Sequence, residues 1–273
     1  MALASLLMTR ERLVMPDAPV PAADDVLLEV LECHEEERLR SWLDAGHDAA
    51  RPVRGKTPVQ WLLEMYMRGV HFAPCLRLLL ARGGRLPDQA LAPVLLDDAE
   101  ALRAALRADP GLGQRRFDLV SAFTPLRSAS PLHVAAEYGN LAVARVLLEA
   151  GAALEVRAAT DAFGGDGHTP LFHTVNSLLD HCAPVMHLLL DAGARTDVVL
   201  PAITWGRGFP WETTLFDVTP ISYCQAGLLP QMHRREPDVY RNLERLLAAA
   251  RRPRPPLPNV PNRYLLPRGG NRA

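Results

Sequence analysis

The sequence predicts an all-α protein, a solenoid of stacked helix pairs joined by hairpin loops. Two observations carry this prediction. A Thr-Pro or Ser-Pro pair recurs at the start of short apolar segments, and an aliphatic run followed by glycine recurs downstream of it. One helix pair of this size buries too little apolar surface to be stable alone, so each pair implies neighbours built in the same way.

The repeated openings favour helix starts for a physical reason. A Thr or Ser hydroxyl at an N-cap accepts a hydrogen bond from a backbone amide that the helix leaves unpaired, and proline suits the first helical position because no amide donor is needed there. Each opening therefore predicts the first helix of a unit. The openings are Thr57-Pro58, Ser130-Pro131, Thr169-Pro170 and Thr219-Pro220.

The repeated closings mark the ends of the second helices. Glycine follows the aliphatic run at Gly46, Gly83, Gly151 and Gly193, and a left-handed glycine terminates a helix without steric cost. The fifth run, 246–250, lacks the glycine and therefore predicts a terminal unit.

The best-formed unit spans residues 130–152, with the opening Ser-Pro-Leu-His-Val-Ala. It resembles an ankyrin repeat, whose signature is a period of about 33 residues that opens on T-P-L-H-x-A. The resemblance is closest over 130–250 and degenerate over 25–130. It implies a non-enzymatic protein–protein interaction module that binds through hairpin tips and first helices on a concave face.

A degenerate unit is expected between Gly83 and Gly151, because these glycines lie 68 residues apart. Segment 101–110 occupies the place of its second helix. The count is then about six units, the first and last being incomplete caps, and the second and fifth units have longer loops. The predicted divisions are a lead-in over 1–23, the repeat array over 24–250 and a tail over 251–273 that is rich in Arg and Pro.

Composition limits the class of protein. With 48% hydrophobic residues, 22% charged residues and a net charge of −1, the chain is neither a strongly basic nucleic-acid binder nor an acidic disordered protein. Four scattered cysteines without a C-x-x-C pair suggest reduced thiols, and no uncharged apolar run is long enough to span a membrane. We therefore expect a cytoplasmic protein, monomeric because its caps block end-to-end stacking.

The long hairpin before the sixth unit is the predicted partner-binding region. Four of the 16 aromatic residues lie within 12 residues there, and aromatics with arginine are enriched at binding hot spots. The alternative is that Trp205 and Trp211 pack onto adjacent helices and hold the insertion in place. The candidate contacts are Phe163, Trp205, Arg207, Phe209, Trp211 and Glu212, with Tyr138 and Tyr223 on first helices as outer candidates.

No cofactor, metal ligand or catalytic residue is predicted. The fifth unit contains His168, His173, His181 and His187 beside Cys182, but these spacings fit no zinc finger or H-E-x-x-H motif and favour structural histidines. The glycine-rich run 164–167 is not followed by Lys-Ser/Thr, so it is not a phosphate loop. We see no nucleophile with an evident base and expect no enzyme.

Two other function classes stay open at this point. One is an inhibitor or immunity-type protein that neutralises a specific enzyme or toxin, for which we expect a groove of one charge sign. The other, more remote, is a metal-dependent hydrolase hidden in the insertions, for which we expect a pocket with three converging His, Cys or acidic groups.

Overall fold

The computed structural model describes residues 23–121, 124–207, 210 and 212–253. The predicted lead-in apart from Ala23, and the predicted tail from residue 254 onward, lie outside these residues. The α-helices are α1 (Ala23–Cys33), α2 (Glu36–Asp44), α3 (Pro58–Glu64), α4 (Phe72–Ala81), α5 (Ala92–Leu95), α6 (Ala99–Ala108), α7 (Pro131–Tyr138), α8 (Leu141–Glu149), α9 (Ala183–Asp191), α10 (Pro220–Ala226) and α11 (Glu236–Ala249). The strands are β1 (Phe117–Leu119), β2 (Leu126–Ala129), β3 (Leu200–Trp205) and β4 (Thr213–Val218).

The helices are organised largely as pairs. Each odd-numbered helix from α1 to α7 packs against the helix that follows it, and α10 packs against α11. Successive pairs also meet, because α1 packs on α3, α2 on α4, α5 on α7, and α6 on α8. In the fifth unit a 3₁₀ helix over Pro170–His173 replaces the expected first α-helix, and both α7 and α10 pack against it.

Two hairpins contain short antiparallel sheets. The fold is therefore helix-rich but not all-α, which corrects the expectation from the sequence. Strand β1 pairs with β2, and β3 pairs with β4 from Leu200↔Val218 to Trp205↔Thr213. In β1, Phe117 and Leu119 are buried on either side of the exposed Asp118. This alternation is typical of a strand with one face on the core.

The predicted N-caps are confirmed at two openings. The Thr57 hydroxyl accepts from the Gln60 amide at 3.3 Å, and the Thr219 hydroxyl accepts from the Ser222 amide at 3.1 Å. At Thr169 the prediction is wrong, because its buried hydroxyl has no hydrogen-bond partner among the described residues and no α-helix follows.

The predicted glycine closings are confirmed by their backbone angles. Gly46, Gly83, Gly151 and Gly193 have φ values of +91°, +94°, +84° and +96°. Gly139, in the turn between α7 and α8, also has a positive φ of +69°. A Cβ atom added there would lie 2.7 Å from the His181 imidazole, so this turn requires glycine for two separate reasons.

The segment predicted to be a degenerate third unit contains two helices, and residues of the fourth unit hold it. Its first helix, α5, is only one turn long, and α6 covers most of the predicted segment 101–110. The Asn140 amide donates to the Val94 carbonyl at 2.7 Å and so caps α5. In return, the Asp97 carboxylate accepts from the Val143 amide at 2.9 Å, in the first turn of α8.

Helix α7 contacts the second unit directly through Tyr138. Its hydroxyl donates to the Leu63 carbonyl at 3.1 Å, and its ring centroid lies 4.7 Å from that of Phe72. The Arg68 guanidinium lies 4.6 Å from the centroid of the Tyr138 ring. These contacts bury Tyr138 to 2% exposure.

One continuous hydrophobic core extends through the described units, from Leu27 in α1 to Leu246 in α11. The longest described helix, α11, has 14 residues. Among the described helices none combines the length and the apolar character that a bilayer crossing requires.

We predict that Gly139→Ala destabilises the protein more than Gly151→Ala. Alanine at a left-handed position costs about 1–2 kcal/mol, and Gly151 has open space around its Cα. Gly139→Ala adds a clash with His181, which we expect to cost about 1 kcal/mol or more on top. Urea unfolding of both variants measures the difference.

Adding His181→Ala to each glycine variant isolates the clash. We expect His181→Ala to restore part of the stability lost in Gly139→Ala and none of that lost in Gly151→Ala. Equal costs for the two glycine variants would contradict the steric argument.

Candidate functional site

The loop after the fourth unit forms a closed turn that presents Phe163. The Asp161 carboxylate accepts from the amides of Phe163 and Gly165 at 2.9 and 2.8 Å. Thr160 and Asp166 pair across the base of the turn. An aspartate that bonds the amides ahead of it stabilises such turns, and the Phe163 side chain is left 94% exposed at the tip.

Arg207 fastens this turn to the β3–β4 hairpin. Its guanidinium lies 3.1 Å from Asp161 Oδ2 and 3.6 Å from Asp166 Oδ2. The hydrogen bond from Arg207 holds the pKa of Asp161 below its usual range, whereas burial raises the pKa of Asp166. The Asp166 amide also donates to the Ala202 carbonyl at 2.8 Å. The structure thus brings the Phe163 turn and Arg207 together at one edge, which we call the hairpin edge.

Strand alternation decides which hairpin aromatics face the core. Ile203 and Trp205 lie on the same face of β3 and are 1% and 2% exposed. Phe216 lies on the other face of the sheet, opposite Ala202, and is 73% exposed. The hairpin therefore buries one large aromatic and presents another.

Three predicted contacts are core residues, which corrects the expectation that they are surface anchors. Trp205, Tyr138 and Tyr223 are each 2% exposed. Trp205 lies on the inward face of β3, Tyr138 lies under the Arg68 guanidinium, and the Tyr223 hydroxyl is 3.4 Å from that of Thr124. Side chains this deeply buried cannot touch a partner directly.

The other predicted contacts divide into two groups. Phe163, Arg207 and Glu212 are exposed and lie on the two loops of the hairpin edge. Phe209 and Trp211 lie outside the described residues. Phe216 of β4, 73% exposed, is a further aromatic of this hairpin that the predicted contact set does not include, because the sequence alone does not reveal which face of the strand it occupies.

A small cleft that the sequence did not predict lies beside α7. Its volume is about 30 Å³, and Arg234 reaches across its mouth, donating to the Tyr66 hydroxyl at 3.0 Å and the Asn176 carbonyl at 2.7 Å. The longer loops of the second and fifth units, noted in the sequence, supply five of its twelve described lining residues. The lining residues are Tyr66, Arg68, Thr124, Glu137, Phe172, His173, Asn176, Ser177, Leu178, Trp205, Tyr223 and Arg234.

Glu137 is the buried acid of this cleft. It accepts from the Ser121 hydroxyl at 3.2 Å and from His173 Nδ1 at 2.7 Å. Both carboxylate oxygens therefore have a partner. Arg68 and Arg234 lie in the same wall, so the cleft carries charges of both signs.

Three buried histidines lie next to each other at this cleft, and one of them, His173, lines it. The rings of His133, His168 and His173 have centroids 4.6–5.9 Å apart. His133 Nδ1 accepts from the Ser130 amide at 3.1 Å, so its Nε2 carries the proton and donates to the His168 carbonyl at 3.1 Å. Burial lowers the pKa of His133 to about 3 and that of His168 in the same direction.

His181, another member of the fifth-unit set, bonds the Tyr138 carbonyl at 2.9 Å. Burial raises the pKa of the neighbouring Cys182 thiol to about 12, which makes it a poor nucleophile. Within the described residues no three His, Cys, Asp or Glu side chains are arranged to hold a metal ion.

Comparison with known proteins agrees with the best-formed unit. Residues 128–159 match the model of the ankyrin repeat family. This match supports an ankyrin repeat protein. It covers β2 in part, α7 and α8, and includes the predicted unit at 130–152. Ankyrin repeats are in general interaction modules without enzymatic activity.

A curated relative is similar over part of the chain. It is the zinc finger CCCH domain-containing protein 24 of Oryza sativa subsp. japonica, 38% identical over 102 residues. The aligned segment covers 37% of this chain and 13% of the relative. The chain therefore spans only a small part of the length of that protein.

We predict that acid destabilises the fold through buried histidines, with His34 as the clearest case. His34 is 5% exposed, and burial lowers its pKa to about 4. The folded form stays neutral while the unfolded chain takes up a proton below about pH 6.5. The free energy of unfolding therefore falls by about 1 kcal/mol between pH 7.5 and 5.5 for each such histidine.

The variant His34→Asn tests this prediction, because asparagine tolerates the φ of +52° at this position. Urea unfolding at pH 7.5 and 5.5 should show a smaller loss for His34→Asn than for the unmodified protein. The exposed His187 provides the control, and His187→Asn should keep the original pH dependence. Equal pH dependence in all three proteins would refute the assignment.

Proposed function

We propose that the chain is a non-enzymatic protein-binding module whose partner contacts lie on the hairpin edge. The observation that carries this proposal is Phe163, which is 94% exposed at the tip of a hydrogen-bonded turn. An apolar aromatic in this position gains free energy when a partner removes it from water. The match to the ankyrin repeat family supports the same class of function.

The hairpin edge is built to bind at low entropic cost. Arg207 ties the Phe163 turn to the neighbouring hairpin through Asp161, so less conformational freedom is lost on association. Loops fixed on a rigid scaffold commonly carry binding residues. In this proposal the buried Trp205, Tyr138 and Tyr223 support the edge from beneath.

The proposed contact set differs from the set predicted from the sequence, because burial and strand register remove Trp205, Tyr138 and Tyr223 and add Phe216. It consists of the exposed Phe163, Arg207, Glu212 and Phe216, and it retains Phe209 and Trp211, which belong to the same loop. The partner is a protein, and residues 24–250 act as one array.

We predict that Phe163→Ser removes partner binding. Tagged full-length protein is used to capture partners from the native host, and the variant should retain less than about a tenth of the specific partner, as expected for a hot-spot aromatic. Arg207→Ala should weaken capture as well, because it releases the turn from the hairpin.

The matched control is Val70→Ser, since Val70 is 74% exposed but lies in the loop between α3 and α4. It should capture the partner normally, and circular dichroism should show unchanged folding for all variants. The proposal fails if Phe163→Ser and Val70→Ser capture the same proteins in the same amounts.

A further inference from the structure

Successive hairpins of the array are joined edge to edge by backbone hydrogen bonds. Strand β2 is bonded to the base of the Phe163 turn, because the Arg127 carbonyl accepts from the Ala159 amide at 2.8 Å. The same turn is bonded to β3, because the Asp166 amide donates to the Ala202 carbonyl at 2.8 Å. These three hairpins therefore form one row, and β4 is its last described strand.

Phe216 occupies the position in β4 at which the earlier hairpins make these bonds. Arg127 and Asp166 each lie four residues before the proline that opens the next unit, and Phe216 lies four residues before Pro220. The residue that follows has a positive φ of +48°, +68° or +50° in the three hairpins, at Ser128, Gly167 and Asp217. Strand β4 therefore ends with the same backbone geometry as the segments that pair with a following hairpin.

The backbone of Phe216 faces away from β3. Phe216 lies directly opposite Ala202, and the Ala202 carbonyl is turned to Asp166 on the other side of β3. In an antiparallel pair, opposite residues either bond each other through both amide and carbonyl or turn both away. The Phe216 amide and carbonyl therefore lie on the outer edge of β4, where no other described residue hydrogen-bonds to them. Such an edge is a template for another strand.

The chain leaves α11 in the geometry that leads into the earlier hairpins. After α8 and α9, the Ala152 and Ala194 amides donate to carbonyls five residues back, both at 2.9 Å. The Arg252 amide makes the same bond after α11, to the Leu247 carbonyl at 2.9 Å. Arg251 has a φ of +52°, in the left-handed region that glycine occupies after α8 and α9. The residues after Arg252 therefore start where a further hairpin of the row would start.

Arg252 also lies on the side of the molecule where the β3–β4 hairpin begins. The hydrogen bond from Arg195 holds the pKa of Asp197 below its usual range, and the charge of Arg252 acts in the same direction. Asp197 is three residues before the start of β3. Two strand spacings, about 10 Å, separate β3 from a strand added outside β4, whereas seven extended residues reach about 23 Å.

The spacing of the earlier hairpins identifies the residues that would meet β4. The bonded residue comes seven positions after Ala152 in one hairpin and eight positions after Ala194 in the next. The same intervals counted from Arg252 end at Asn259 and Val260. Both of these residues have a backbone amide that can donate to β4.

We propose that residues 257–260, which lie outside the described residues, pair antiparallel with the outer edge of β4 and continue the row of hairpins. Pro258 and Pro261 are compatible with this role, because proline is tolerated in edge strands and disfavours helical backbone in the residue before it. Proline also makes the new edge a poor template for further strands. The tail thereby becomes part of the hairpin edge, with Asn259 or Val260 beside Phe216. This inference goes beyond the proposed function and does not rest on it.

The test is hydrogen exchange of the full chain, followed amide by amide in ¹H–¹⁵N spectra. The Phe216 amide should exchange at least about tenfold more slowly than an unbonded amide of the same local sequence, because the added strand accepts a hydrogen bond from it. The double variant Asn259→Pro/Val260→Pro places a ring where each donor stood, so it excludes pairing in either register. Exchange of the Phe216 amide should then become about tenfold faster or more.

The matched control is Leu265→Pro/Leu266→Pro, which adds two prolines to the tail outside the segment that meets β4. It should keep the slow exchange of the Phe216 amide. The Leu215 amide faces β3, because Leu215 is the neighbour of Phe216 in the pair. It should stay protected in all three proteins, which shows that the hairpin remains folded.

Rapid exchange of the Phe216 amide in the unmodified chain would overturn the inference and leave the edge open for a strand of the partner. Slow exchange that Asn259→Pro/Val260→Pro retains would also overturn it, and a weakening of that protection on dilution would identify a second copy at β4. Loss of protection in both double variants would show a general effect of added proline and would equally count against it.

Partner capture through Phe163 is a separate measurement. If Phe163→Ser loses the partner while the Phe216 amide exchanges rapidly, this inference fails and the proposed function stands. If the Phe216 amide is protected as expected while capture does not depend on Phe163, the proposed function fails and this inference stands.

Discussion

The contact of Tyr138 with the second unit is the constraint on which the arrangement of this protein depends. A repeat array normally separates the second unit from the fourth by a full helix pair, but here α5 has a single turn. The Tyr138 hydroxyl reaches the Leu63 carbonyl, and its ring lies under Arg68. Burial of this ring fixes where the longer loop of the second unit lies. The longer loop of the fifth unit is held by the same segment, because His181 in that loop hydrogen-bonds to the Tyr138 carbonyl and packs against Gly139.

The cleft lies where the longer loops of the second and fifth units meet α7. With the second and fourth units in contact, the segment before α11 comes close enough for Arg234 to bond Tyr66, a residue 168 positions away in the chain. Trp205 lies between the cleft and the hairpin edge in the chain. Its side chain lines the cleft, and Arg207 of the hairpin edge follows two residues later.

Local features of the fold were predictable, and features that depend on distant residues were not. The opening at Ser130-Pro131 and the closing at Gly151 act within a few residues of chain, so their capping chemistry can be recognised in the sequence. The 3₁₀ helix at 170–173 and the bond from Arg234 to Tyr66 depend on how units of unequal length meet. The exposure of Phe163 follows from a turn that Asp161 closes within four residues of chain, whereas the burial of Tyr138 depends on Leu63, which lies 75 positions away in the chain.

The hairpin aromatics show most clearly why composition alone misassigns a binding surface. Trp205 and Phe216 belong to one aromatic-rich segment, yet the first is buried and the second is 73% exposed. Successive residues of a strand point to opposite faces, and a shift of one residue in register exchanges the two sets. The pairing Trp205↔Thr213 places Phe216 on the face opposite the core. The aromatic cluster therefore divides into a wall residue for the cleft and an exposed contact on the edge, and only the strand register determines which is which.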